Sequence, residues 1–315
     1  MAFTRDDLVE EILMNFGGYM NDQELMGTLA QPIVASTTSF RVNGSVFGDQ
    51  ARAGFQPGVI EVDTELIYVG KINPATGDFT DCIRGFRGSR AVSHAVGAQV
   101  RDHPKIPKLR VVRAINEVLQ SVHPRLYAVL TQDFKWDSSG VYELPPGTTQ
   151  VNAVGLQGGH DSSNRRSRRW RYVNNDPAVT SGKSLRVYDQ WPHCTLSVQF
   201  GAQAQQFDVS ADGDFEAVTR LPEWCREVVV NGASYRIAGF LDAGLIAERT
   251  MEGDLLAAQS PIGQGENLST YFYQQFQVAL AEAEVRLKSL EDVGGVHYET
   301  PGGGAPRWST PWVGI

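Results

Sequence analysis

One segment late in the chain restricts the possible folds more than any other. Between residues 267 and 291, Leu268, Phe272, Phe276, Leu280, Ala283, Leu287 and Leu290 recur at spacings of three and four. That period places them on one stripe of a helix and suits no strand. Asn267 or Ser269 supplies the capping oxygen. Such a helix is ~35 Å long, and each large apolar side chain on it is worth roughly 1.5–3 kcal/mol if fully buried. Its apolar face therefore demands a partner.

Shorter segments repeat the pattern. Thr4 is placed to cap a helix over residues 4–16, with Asp6 and Asp7 in its first turn and Leu8, Ile12 and Phe16 on one face. Gly17-Gly18 ends it, and a shorter helix follows around 21–30. Over 108–128, Leu109, Val112, Ile115, Leu119 and Val122 share a face, with Pro107 near the start and Pro124 ending or kinking the helix. Asp214 to Thr219 makes one turn, and Leu221-Pro222-Glu223-Trp224 opens a helix that runs with gaps to about Gly244.

Between these lie short strands with turn punctuation. Ser36–Val42, Val59–Val62, Glu65–Val69 and Phe79–Arg84 form one set, with Asp63-Thr64 as a tight turn and Asn73–Asp78 as a second turn. Val141–Leu144, Gln150–Leu156, Arg169–Asn174, Ser184–Tyr188 and Cys194–Phe200 form another, enough for a sandwich. The pattern predicts an α+β chain: a helical bundle with two inserted antiparallel β-modules and an extended C-terminal arm. The divisions are N-terminal helices at 1–31, a small β-module at 32–105, a central helix at 106–130, a second β-module at 131–210, C-terminal helices at 211–291 and the arm at 292–315.

Nothing in the sequence assembles an active site, so an enzyme is not expected. The phosphate-binding glycine loop, the nucleophile elbow and the paired-histidine zinc helix are missing. None of the six histidines pairs with another at metal-ligand spacing. Cys82, Cys194 and Cys225 are too few and too scattered for a disulfide framework and read as free, mostly buried thiols. No cofactor and no metal are expected. Asp208, Asp212, Asp214 and Glu216 lack calcium-loop spacing and read as helix-start charge on an exposed loop. Glu61, Asp63 and Glu65 read as a solvated turn. The N-terminus is acidic where a secretory leader is basic, and no run of apolar residues reaches membrane-spanning length. The expectation is a soluble chain made in a cytoplasm, with no membrane partner.

Two segments stand out as contact surfaces. Arg165, Arg166, Arg168, Arg169 and Arg171 flank Trp170 in a chain whose net charge is −8. They suit a protein contact with a neighbouring subunit or partner, a solvated loop, or a DNA contact; the net charge favours the first, because an acidic chain repels phosphate. The Gly- and Pro-rich end carries Trp308 and Trp312, and disordered tails are poor in aromatics. Arg307, Trp308, Pro311 and Trp312 are therefore expected to dock on a partner.

Three segments resemble a known family. Val62-Asp63-Thr64-Glu65-Leu66-Ile67-Tyr68-Val69, a turn, and then Cys82-Ile83-Arg84-Gly85-Phe86-Arg87-Gly88-Ser89-Arg90-Ala91-Val92-Ser93-His94-Ala95-Val96-Gly97-Ala98-Gln99-Val100 resemble a pattern common in tailed-phage virion proteins, and His94 is expected to fix the loop through a hydrogen bond. Leu109-Arg110-Val111-Val112-Arg113-Ala114-Ile115-Asn116-Glu117-Val118-Leu119 resembles a helix of head-to-tail adaptors from actinobacterial long-tailed phages. Tyr271-Phe272-Tyr273-Gln274-Gln275-Phe276 through Ala283 is similar to the helix that closes those proteins, although Phe276 stands where the family often has arginine.

The resemblance implies a helical-bundle adaptor in the virion neck. It would assemble as a homo-oligomeric ring, a dodecamer, under the portal protein. The C-terminal arm would meet the portal, and the lower face would meet the stopper or tail. Genomic DNA would pass through the lumen without sequence-specific binding. Leu109, Val112, Ile115, Leu119, Leu268, Phe272, Phe276, Leu280 and Leu287 would hold the helices together. A tail-tube, tail-terminator or baseplate subunit, and a host-glycan-binding β-module, remain the alternatives. The arm reading has a direct test: deleting 296–315 abolishes assembly with the partner and leaves the melting temperature unchanged, as followed by calorimetry and by co-sedimentation.

Overall fold

The computed structural model describes residues 3–17, 26–43, 58–73, 76–157, 165–166, 169–188, 195–252 and 264–294. Among them are fourteen strands in three sheets and five α-helices. The chain forms two compact units, residues up to 122 with 205–281, and residues 123–204 with the chain from 282 onward.

The first unit opens with α1 (Arg5–Met14). Thr4 and Asp7 form a reciprocal capping box, Thr4 N–H donating to Asp7 Oδ2 at 2.8 Å and Asp7 N–H to Thr4 Oγ1 at 3.3 Å. Leu8, Ile12 and Phe16 are fully buried, as their spacing predicts. The expected helix around 21–30 is corrected where the structure describes it: Met26–Leu29 is strand β1, alternately exposed and buried. Gly27 and Thr28 are weak helix formers, and pairing with two neighbours decides the conformation.

Strands β2 (Phe40–Asn43), β3 (Gly58–Val62), β4 (Glu65–Val69), β5 (Lys71–Asn73), β6 (Asp78–Thr80) and β7 (Gln99–Asp102) complete a seven-stranded antiparallel sheet in the order β4-β3-β7-β1-β2-β6-β5. Its edge strands β4 and β5 are joined by Gly70 alone, so the sheet curls nearly closed. A Cβ on Gly70 would meet Asp81 Cβ and O at 2.9 Å, which reserves the joint for glycine. Leu29, Phe40, Ile60, Val62, Ile67, Val69, Phe79 and Val100 fill the interior. The strand expected over Phe79–Arg84 stops at Thr80, where Asp81 takes φ 56°.

The further helices of this unit are α2 (Lys108–Ser121), α3 (Phe215–Thr219, capped by Asp214), α4 (Arg226–Glu252) and α5 (Gln264–Gly294), the last crossing into the second unit. Helix α2 packs along α4, and α1 touches both. Helix α5 starts before the expected caps Asn267 and Ser269 and extends three residues into the expected arm.

In the second unit, β8 (Ala128–Lys135), β10 (Thr148–Gln157), β11 (Arg165–Arg166) and β14 (Thr195–Ala202) form a sheet in the order β11-β10-β14-β8. Strands β9 (Val141–Glu143), β12 (Trp170–Asn174) and β13 (Lys183–Val187) form a second, in the order β12-β13-β9. Tyr142, Leu144, Val151, Leu185, Val187, Leu196, Val198 and Phe200 share one core, as expected of a sandwich.

The expectation of a helical bundle with inserted β-modules is corrected. The protein is β-rich, and its sheets carry cores of their own. The long helical stripes dominate the sequence to the eye, whereas strands of three to five residues with distant partners leave only a weak periodic trace.

Gly232 marks a tight helical junction in the first unit. A Cβ there would meet Val118 Cγ1 at 2.9 Å and the Phe276 ring at 3.0 Å, so α2, α4 and α5 meet at one glycine. Gly232→Leu is expected to lower stability by about 1–3 kcal/mol through overpacking, despite the helix propensity gained. Urea denaturation measures it.

Candidate functional site

The residues that carry the resemblance converge on a buried carboxylate. Glu65, in edge strand β4, is buried, and five donors reach it. Arg84 grips it with both prongs, Nε to Oε1 at 2.7 Å and Nη2 to Oε2 at 2.8 Å. The backbone N–H of Gly85 donates at 3.0 Å and that of Val92 at 3.1 Å. His94 Nε2 completes the set at 2.9 Å. Burial alone would raise the Glu65 carboxyl, but hydrogen bonds from Arg84, His94 and the two amides hold it down at about 2.

His94 is held from both sides. Its Nδ1 lies 2.6 Å from Asp63, and its Nε2 faces Glu65. A carboxyl group at each ring nitrogen favours the doubly protonated ring, in which both nitrogens donate. Burial would lower its pKa, but the hydrogen bonds to Asp63 and Glu65 raise it. The expected loop-fixing hydrogen bond of His94 is present twice over. The other positions of the pattern also have structural tasks. Gly85, Gly88 and Gly97 take φ of 64°, 77° and 81°. Ser89 Oγ accepts the Leu66 N–H at 3.0 Å and donates to the Leu66 carbonyl at 3.1 Å. Val100 lies in the core.

This overturns the reading of Glu61, Asp63 and Glu65 as a solvated turn. Only Asp63, at 58% exposure, behaves so. Glu61 is fully buried, receiving Arg101 Nη1 at 2.6 Å and the Lys108 N–H at 2.6 Å, and burial pushes its carboxyl up to about 7 against Arg101 and Lys108. The missed signal was the number of cations available nearby, Arg84, His94 and Arg101 for two of the three acids.

The other two resembling segments also hold elements together. Asn116 of α2 clamps residue 207, donating Nδ2 to the Phe207 carbonyl at 2.9 Å and accepting the Phe207 N–H at 2.8 Å. Glu117 meets Arg236 of α4 at 3.2 Å. From α5, Phe272 lies 5.7 Å from Phe16 and Tyr273 lies 5.2 Å from Tyr235. Phe276 sits over Gly232, its ring 3.0 Å from where a Cβ would stand.

Of the expected helix-packing residues, Leu109, Val112, Ile115, Leu119, Phe272, Leu280 and Leu287 are buried, while Leu268 and Phe276 are half-buried. On α5, Tyr271, Tyr273, Val278 and Val285 are exposed. The arginine cluster is divided: Arg165 and Arg166 form edge strand β11, paired with Leu156 and Gly155, whereas Arg169 and Arg171 are exposed beside and within β12. Arg168, and Arg307, Trp308, Pro311 and Trp312 of the arm, lie outside the described residues, as does Cys194. Cys82 and Cys225 are buried. Asp214 caps α3 as expected, and Asp208 accepts the Ser210 N–H at 2.8 Å; the loop itself is tied down by buried Arg5, whose Nη1 donates to the carbonyls of Asp208, Val209 and Ala211. Among the described residues no group of His, Cys, Asp or Glu is placed to hold a metal ion, and no helix is long and apolar enough to cross a membrane.

The geometry therefore presents interlocked structural contacts and exposed faces. No protein-family model matches the chain, and no curated protein matches it.

Removing one partner of the buried pair has a large cost. Glu65→Gln is expected to lose about 3–5 kcal/mol by leaving Arg84 uncompensated, whereas Asp63→Asn, at an exposed carboxylate, loses no more than about 1 kcal/mol. Both are read by chemical denaturation. The pH dependence has two limbs. The Glu65 contribution is complete above 4.5 and is lost as pH falls toward about 2. The His94 contribution is complete below 6.5 and is lost as pH rises through its raised value, and Glu61 adds stability below 4.5 that fades as pH rises through about 7. A melting temperature that falls on both sides of this range is expected, with the acid limb flattened in Glu65→Gln.

Proposed function

We propose that the chain is a structural subunit of a tailed-phage virion, the head-to-tail adaptor of the neck. It forms a homo-oligomeric ring between the portal and the stopper or tail, and so extends the DNA conduit. One observation carries the reading: the three segments that resemble those adaptors lie in sequence order, and the distinctive residues of each hold a structural contact. Arg84 and His94 bind Glu65, Asn116 clamps Phe207, and the Tyr273 ring packs tilted against Tyr235. A net charge of −8 agrees with a lumen that lets phosphate pass without adhesion. The exposed Tyr271 and Val278 supply apolar area for contact with another subunit.

The β-rich architecture also favours a second reading, a tail-tube, tail-terminator or baseplate subunit. The two separate by stoichiometry. Electron microscopy of the purified protein, alone and mixed with the portal protein of the same phage, is expected to show a twelvefold ring stacked beneath the portal. A sixfold ring that ignores the portal supports the tail reading, and a lasting monomer sinks both.

A further inference from the structure

The outer face of β12 and β13 carries a charge arrangement that the sandwich itself does not require. Trp170 and Tyr172 pack against the core, which turns Arg169 and Arg171 outward. Leu185 and Val187 are buried, which turns Arg186 and Tyr188 outward. The register sets Arg171 directly opposite Arg186, and the Tyr188 N–H donates to the Arg169 carbonyl at 2.8 Å. Like charges facing each other across a ladder are destabilising. Asp176 relieves Arg186 at 3.0 Å, but Arg169 and Arg171 have no ion pair among the described residues, and Tyr188 is 60% exposed. Arginine and tyrosine are the residues that enrich protein interfaces.

The same chain offers the opposite charge. Asp6, Asp7 and Glu10 of α1, Asp212, Glu216 of α3 and Glu227 of α4 are all exposed. They belong to one surface of the first unit. The Asp6 N–H donates to Asp212 Oδ1 at 3.2 Å, Thr4 bridges to Asp214, and Arg226 beside Glu227 reaches Glu11 at 3.6 Å.

We propose that the Arg169, Arg171, Arg186 and Tyr188 face of one copy docks on the acidic surface around the start of α1 in a second copy. Two different surfaces meet, so the contact is heterologous and repeats around a ring. The inference rests on the ring reading and names its subunit contact. Complementary charge drives the encounter, and added salt weakens it.

The test is a charge exchange in the full-length chain, followed by sedimentation velocity. Arg171→Glu with Arg186→Glu is expected to weaken self-association by on the order of tenfold or more. Adding Glu10→Lys and Glu227→Lys to the same chain is expected to restore it. Should the double glutamate variant melt early, Arg171→Gln keeps the Arg186–Asp176 pair and gives a smaller loss in the same direction. Assembly unaffected by these changes overturns the inference and leaves the ring reading standing, whereas a wild-type chain that never assembles sinks the ring reading itself. Loss of double-stranded DNA binding with unchanged assembly assigns the face to nucleic acid and also overturns the proposal.

Discussion

The first unit depends on a charge that water cannot reach. Glu65 sits in the edge strand of a sheet, and an ionised carboxylate without partners there would cost several kcal/mol. The chain meets that cost by bringing a second segment to it. Arg84, Gly85, Val92 and His94 all donate to the same two oxygens, so the loop between β6 and β7 has one position in which every donor is used. Arg84 also reaches the carbonyls of Val34 at 2.5 Å and Val92 at 2.6 Å, and His94 pairs its backbone with Ile33. One buried side chain thus orders three stretches of chain that are distant in sequence. The specificity comes from geometry, since a hydrophobic residue at position 65 would bury well but select no particular loop.

The helices are set by a different rule. Where Glu65 collects donors, Gly232 withholds volume, and α2, α4 and α5 approach because nothing projects between them. Asn116 then fixes the chain entering α3 by satisfying both backbone groups of Phe207, a task a helix-surface asparagine can perform only when a loop lies directly against it. These polar and steric locks are local, and each joins segments that periodicity alone would leave independent.

How much of this was legible in the sequence follows from the length scale of each signal. Helices α1, α2 and α5 were legible because a stripe of apolar residues at three and four spans several turns and needs no knowledge of a partner. The β3–β4 hairpin was legible because Asp63-Thr64 marks its turn, and Asp63 indeed takes φ 54°. The architecture was misjudged because β1, β5 and β6 are three or four residues long and exist only through pairing. Strand β8 was hidden for another reason: half of its residues are exposed, and its register is imposed by β14. At the candidate site, the glycines and His94 were noticed, but the burial of Glu61 and Glu65 was not. A charged residue beside a turn looks solvated until the arginines that neutralise it, here 19 and 40 positions away, are brought back in space.

The single-residue joint at Gly70 has a consequence for how the first sheet can open. In an open sheet the outer strands fray independently, and exchange of their amides reports small local openings. Here the two outer strands are consecutive in the chain, and Tyr68 and Ile83 bridge across the curl. Peeling β4 away pulls on β5, and lifting β5 strips β6 of one of its two partners. The sheet has two edges in its hydrogen bonding but only one in its mechanics. Its weakest point is therefore shared around the curl, and the sheet opens as a unit.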